Sequence, residues 1–149
     1  MSPITLAQTL TYLGTLPFIY GGLAHLGLAP FAAWLPFAID SALLAYAAVI
    51  LSFLAGIHWG LALGKLDRYD QKPLARRLLW MSNIIALWAW LMWLLPSSVL
   101  AFWGMALGFA VMLAVDWRWL TLAQTQAWFW RLRWQASFIA MLSLVVMGF

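Results

Sequence analysis

Apolar residues run along this chain in long blocks, and charge gathers in the gaps between them. A helix that crosses a hydrocarbon core about 30 Å thick needs about 20 mostly apolar residues. Five such spans are expected: Leu6 to Leu26, Phe37 to Gly64, Leu78 to Leu95, Ser97 to Val115 and Gln135 to Phe149. The first holds Pro17 and the Gly21–Gly22 pair, which membrane helices tolerate where neighbours re-satisfy the freed backbone. A turn with Pro30 and Pro36 follows it. The second would reach about 40 Å at 1.5 Å per residue, so it must tilt or protrude. Lys65 to Arg77 then forms the strongly charged stretch, with Pro73 blocking helix continuation, and Pro96-Ser97-Ser98 makes a tight turn before the fourth span.

The stretch from Asp116 to Trp134 departs from this pattern. It interleaves Trp117, Trp119, Trp128, Trp130 and Trp134 with Arg118, Arg131 and Arg133, around the polar run Thr121 to Gln126. Aromatics beside cations suit a segment lying among lipid headgroups. The last span is short, and it extends backwards if Arg131 and Arg133 snorkel; four spans with an interfacial tail is the alternative. The expected fold is a single all-α domain over residues 1–149, a polytopic membrane helix bundle of five transmembrane helices with an interfacial segment before the last.

Composition agrees with that pattern. The chain is 66% hydrophobic and 8% charged, against roughly 25% charged residues in soluble domains. So few charges cannot cover a soluble globule, and lipid is the solvent that removes the difficulty. All eight Lys and Arg lie in two places, between spans two and three or between spans four and five. In an alternating topology both loops face one side, and the positive-inside rule makes it cytoplasmic. The expectation is a bacterial inner-membrane protein with its N-terminus inside and its C-terminus outside. The formal charge of +4 is thus a topology signal rather than a mark of nucleic-acid binding. Met1 to Gln8 carries no Lys or Arg, so a cleaved signal peptide is not expected.

Several chemistries drop out. With no cysteine, disulfides, thiolate nucleophiles, Cys-ligated zinc and iron–sulfur clusters are excluded. GxSxG, P-loop and HExxH patterns are missing, and four acidic residues make metal-dependent phosphoryl chemistry a poor fit. His25 and His58 invite a b-type haem, but they differ in depth by roughly 20 Å at 1.5 Å per residue, whereas axial ligands must flank one iron. No cofactor is expected, and a haem or porphyrin stands only as a remote alternative.

The remaining polar residues inside the spans define two candidate sites. Toward the outer surface, His25 and Asp40 face each other across the first loop and suit an ion pair or proton-exchange site. Toward the inner surface, His58 sits at a depth similar to Asn83 with Ser82 beside it; Asp116 ends span four, and Arg131 and Arg133 open span five. Ionisable groups inside a bundle are costly and usually paired, so this inner cluster is the leading site, with a purely structural clasp as its rival. On span two, Ala48, Ser52, Gly56 and Gly60 recur every four residues, a stripe that lets another backbone approach. His58 lies about 200° away from Gly56 around the axis. Most of the 12 tryptophans fit an interfacial belt, and Trp59 and Trp88 are the two suited to a pocket.

The string Tyr46 to Gly60, YAAVILSFLAGIHWG, resembles the signature of the membrane-protein family called domain of unknown function 3429, related to the transmembrane protein 69 of mitochondria. Tyr12 to Phe18, YLGTLPF, and Trp130 to Arg133, WRLR, resemble the same pattern, so the likeness covers most of the chain. It adds weight to Tyr46, Ser52, Gly56, His58, Trp59, Gly60, Arg131 and Arg133, and it implies no activity. The tryptophan-rich sensory proteins of the translocator type, which bind porphyrins and sterols, are similar in span number and composition, but their Trp-Ser and Pro-Tyr motifs are not found here. The expected function is non-enzymatic binding of a partner membrane protein, a second copy or an apolar ligand. A small proton-coupled transporter is one alternative, and a lipid- or isoprenoid-modifying enzyme with His58 as acid–base is another.

Overall fold

The computed structural model describes residues 1–30, 32–96, 98–120 and 127–149. Five α-helices account for the described architecture, with no strand among the described residues: α1 (Pro3–His25), α2 (Ile39–Leu63), α3 (Lys72–Leu94), α4 (Val99–Trp119) and α5 (Ala127–Met147). Local chemistry sets several of their ends. Ser2 caps α1 by accepting from the Thr5 N–H at 3.1 Å, with Pro3 in the first turn, where its missing N–H costs nothing. At the other end, Leu28 N–H bonds the Leu23 carbonyl and Gly27 N–H bonds that of Ala24. This Schellman closure needs φ > 0 at Gly27, where φ is +72°. Pro73 opens α3, and Ser98 caps α4 through the Ala101 N–H.

These bounds differ from the expected ones at the polar ends of the spans. Helix α3 takes in Arg76 and Arg77, because a proline in the first turn starts a helix as readily as it stops the preceding one. Asp116 lies inside the last turn of α4, and residues 127–134 are the first two turns of α5. The interfacial segment expected over 117–134 is therefore divided between two helices. Its polar run, Thr121 to Gln126, and Ser97 of the preceding turn lie outside the described residues. Aromatic–cation interleaving marks depth in an interface, and a helix end at that depth satisfies it as well as a surface segment does.

Contacts between helices give their directions. Tyr12 hydroxyl donates to Gln135 and Ser143 hydroxyl to the Phe18 carbonyl, so α1 and α5 run parallel. Leu51 meets Gly108 and His58 meets Asp116, so α2 and α4 are parallel as well. Met92 beside Gly104 with Trp88 beside Gly108, and Trp103 beside Gly148 with Asp116 against Arg133, make α3 and α5 antiparallel to α4. Helix α4 is the most enclosed, packed against α2, α3 and α5. All eight Lys and Arg fall at one end of the bundle, where α2 and α4 finish and α3 and α5 begin. We call it the basic end.

Residues Ile39–Leu63, Tyr69–Leu94 and Val99–Trp119 are each long and apolar enough to cross a membrane. The flank of the bundle is correspondingly inverted relative to a soluble protein. Val49, Phe53, Leu87, Leu107 and Leu142 are exposed, whereas Thr15, His58, Asp116, Arg133, Ser137 and Ser143 are buried. Such an exposed apolar surface is consistent with a membrane location. Lipid tails match leucine in polarity, so burial does not by itself drive helices together there, and close packing must. The clearest instance is Gly104-x-x-x-Gly108 on α4. Trp88 Nε1 donates to the Gly104 carbonyl at 2.7 Å, and a methyl group at Gly108 would sit 2.6 Å from Leu51 Cδ2.

The close-packing expectation for α2 is corrected here. Gly56 and Gly60 are exposed, and a methyl group on either would meet nothing within 4 Å. Ala48 and Ser52 are only half-buried. The stripe of α2 that packs is Leu44, Ala47, Leu51, Ala55, His58 and Ala62. Small residues permit close approach without specifying it, and the larger stripe offers more contact area to α3 and α4.

Candidate functional site

The packed stripe of α2 turns His58 inward, one turn before the helix ends. On α4, Met105, Phe109, Met112 and Asp116 recur at intervals of three and four, so the inward face of that helix carries a carboxylate into its last turn. Helix α5 runs the other way, and its second turn brings Arg133 level with Asp116. Three helices thus deliver three ionisable groups to one point, with exposures of 0% for His58, 1% for Asp116 and 5% for Arg133.

Asp116 is the hub. Its Oδ1 accepts from His58 Nε2 at 2.5 Å and its Oδ2 accepts from Arg133 Nε at 2.5 Å. Among the described residues three buried polar atoms have no hydrogen-bond partner: His58 Nδ1, Arg133 Nη1 and Arg133 Nη2. The guanidinium carbon also sits 5.9 Å from the centre of the Phe129 ring. A buried guanidinium with both terminal nitrogens unused is costly unless something accepts from them.

Arg133 also borders a cleft, with its two Nη atoms withdrawn from the accessible surface. It encloses about 400 Å³ between α1, α2 and α5, with Phe109 of α4 at its floor. Most of its lining is aliphatic or aromatic, and among the described residues Arg133 is the one charged side chain there. The hydroxyls of Thr11 and Thr15 face it but already donate to the Ala7 and Tyr12 carbonyls of their own helix. Leu10 and Phe53, also lining residues, are exposed on the flank, so the cleft opens sideways. A second space of about 400 Å³ lies toward the opposite end, between Pro17, Tyr20, Leu35, Phe37 and Tyr46, and no charged side chain lines it. Three packed rings lie between the two: Phe18 meets Tyr46 at 5.4 Å in a tilted contact and Phe109 at 5.9 Å edge to face, centre to centre.

The other residues singled out from sequence lie elsewhere. Asn83 is exposed and its amide donates to the Leu79 carbonyl one turn back, so it does not join the cluster. Ser82 is buried but donates to the same carbonyl. Arg131 is exposed, two positions and so about 200° around α5 from Arg133. Trp59 is exposed and Ser52 half-buried. Tyr46 ties α2 to α1 by donating to the Gly14 carbonyl at 2.9 Å. His25 and Asp40 are both exposed, and no ion pair joins them. His25 and His58 stand at opposite ends of the bundle. Sequence reasoning passed over the buried hydroxyls of Ser137 and Ser143 and the Gly104–Gly108 pair; the last has a readable signal in its GxxxG spacing.

No group of three or more His, Cys, Asp or Glu is placed to hold a metal ion among the described residues. The family model described as "Protein of unknown function (DUF3429)" matches residues 3–149. No curated protein and no solved structure matches the chain.

Proposed function

This chain belongs to the DUF3429 family, and from the geometry of its buried cluster we propose that it is a five-span inner-membrane protein that binds an apolar ligand in the cleft beside Arg133. The observation that carries the reading is a largely apolar space of about 400 Å³, bordered by the buried Arg133 and open on the flank of the bundle. Ligand pockets are characteristically mostly apolar with a few placed polar groups, and of this size. The ring layer of Tyr46, Phe18 and Phe109 between the two cavities supports binding over passage through the bundle. The alternation of helix directions, with α1 parallel to α5, supports five spans. The gathering of every Lys and Arg at one end supports placing that end in the cytoplasm.

Two measurements test this. Ala136 lines the cleft and makes no side-chain hydrogen bond in the buried cluster. Native mass spectrometry from mild detergent is expected to find one apolar molecule retained per chain, and Ala136→Trp is expected to remove it by filling the space. A wild-type protein that carries nothing, with no change on substitution, overturns the binding reading. For orientation, the chain has no cysteine to interfere. Asp70→Cys, at the basic end, is expected to stay unlabelled by an impermeant maleimide in intact cells, whereas Phe37→Cys, at the opposite end, is labelled. The reverse pattern inverts the topology.

A further inference from the structure

We infer that the outward face of α3 seats an anionic phospholipid, with Arg76 and Arg77 on its phosphate and its acyl chains along Ile84, Leu87 and Leu91. This helix does not line the cleft, and it is long and apolar enough to cross a membrane.

The face follows from helix geometry. At 3.6 residues per turn, Arg76, Arg77, Trp80, Ile84, Leu87 and Leu91 fall within one arc of about 100° on α3. All of them are exposed, Trp80 at 67%. The buried residues of the same helix, Ala75, Leu78, Ser82, Ile85 and Ala89, centre on the opposite side. Packing against α2 and α4 thus turns the exposed stripe away from the bundle.

The order of side chains along the stripe follows the layers of one leaflet. At 1.5 Å per residue, Arg76 lies about 6 Å before Trp80, and Leu91 about 16 Å beyond it. A bilayer has a half-core of about 15 Å and a headgroup layer of about 5–8 Å on each side. Indole rings collect at the boundary between the two. With Trp80 there, the arginines stand at phosphate level, and Ile84, Leu87 and Leu91 run down the hydrocarbon of the same leaflet.

Charge selects the headgroup. Neither arginine has a carboxylate or hydrogen-bond partner: among the described residues both ion pairs fall on Asp116. Asp67 and Asp70, the acids nearest in the chain, are exposed in the loop before α3 and pair with neither. Lys72, one turn earlier, sits over the Tyr69 ring at 5.7 Å. A guanidinium presents parallel N–H donors that match two oxygens of a phosphate. A zwitterionic headgroup would bring its ammonium toward two guanidinium groups, whereas an anionic one brings no opposing charge. Each basic residue near an anionic surface is expected to strengthen binding about fivefold.

The test is native mass spectrometry of the full chain in mild detergent, titrated with equal amounts of phosphatidylglycerol and phosphatidylcholine bearing the same acyl chains. The first lipid retained is expected to be phosphatidylglycerol, in about fivefold or greater excess. Arg76→Gln with Arg77→Gln is expected to bring the two lipids to parity. Arg118→Gln with Arg131→Gln removes the same charge from exposed positions on α4 and α5, and is expected to leave the excess in place. Ala136→Trp, which fills the cleft, is expected to keep it too. Parity in the wild type overturns the seat, as does an excess that survives loss of Arg76 and Arg77. An equal fall in both arginine pairs makes the preference a property of the whole basic end and also overturns it. Loss of the excess in Ala136→Trp moves the lipid to the cleft, with the same consequence for α3. If excess inorganic phosphate at constant ionic strength abolishes the preference, free phosphate is the ligand and the lipid assignment fails. Should the Arg76 and Arg77 variant not fold, the wild-type ratio and the Arg118 and Arg131 variant still decide.

Discussion

Replacing Asp116 by alanine is expected to lower the stability of the bundle by about 3–5 kcal/mol, the cost of leaving a buried charge without its partner. Asp116 is 1% exposed and is the acceptor for both His58 and Arg133, so its loss orphans the remaining guanidinium donor and the imidazole N–H together. Both are buried, and no other carboxylate stands nearby: Asp40 is at the opposite end, and Asp67 and Asp70 are exposed in the loop after α2. Reversible unfolding in mixed micelles measures the change. A loss under about 0.5 kcal/mol, the range of ordinary surface substitutions, contradicts a desolvated hub. The companion experiment removes the whole cluster. Buried ion pairs are repaid only in part by their mutual attraction, so His58→Phe, Asp116→Leu and Arg133→Met combined are expected to restore most of the stability that Asp116→Ala loses. That triple variant is nevertheless expected to carry no ligand. Stability without binding distinguishes a cluster kept for recognition from a clasp kept for folding.

The second large effect is expected at Gly108. A Cβ there would lie 2.6 Å from Leu51 Cδ2 and 3.2 Å from Trp88 Cδ1, and Leu51 is fully buried. Gly108→Val is therefore expected to cost about 1–3 kcal/mol or more as α2 and α3 are pushed off α4. The same substitution at Gly56, where an added Cβ meets nothing within 4 Å, is expected to change stability by less than about 0.5 kcal/mol. Parallel unfolding curves of the two variants provide the check. Equal losses contradict the assignment of Gly104–Gly108 as the close-packing seam. A larger loss at Gly56 restores the α2 stripe to that role.

Much of the bundle is legible along the chain because a helix in lipid satisfies its own backbone hydrogen bonds and announces itself by an apolar run alone. Helix α2 is expected at Phe37 to Gly64 and found at Ile39–Leu63. The ends of α3, α4 and α5 were harder, since polar and aromatic residues at a helix end read like an interfacial segment. Of the polar candidates, His58, Asp116 and Arg133 converge, whereas Asn83 and Arg131 sit at similar depth and face away. Sequence spacing supplies depth at 1.5 Å per residue. It also supplies the relative angle of two residues on one helix, but not the rotation of that helix against its neighbours. The choice between the Gly56–Gly60 stripe and the Leu51–Ala55–His58 stripe as the packed face of α2 turned on that same rotation.

Thus the sequence by itself determined an all-helical chain with apolar segments of spanning length, its basic residues gathered at one end, and a candidate level near the end of α2. These depend on composition and on distance along the chain, which hold whatever the packing. Only the tertiary structure decided that Asp116 bridges His58 and Arg133, that two guanidinium nitrogens are left over, and that Arg133 lines an apolar cleft. Those facts depend on how five helices are rotated and spaced about one another. That arrangement is settled by contacts between residues as distant in the chain as Phe18 and Ser143, or Leu51 and Gly108, rather than by any one segment.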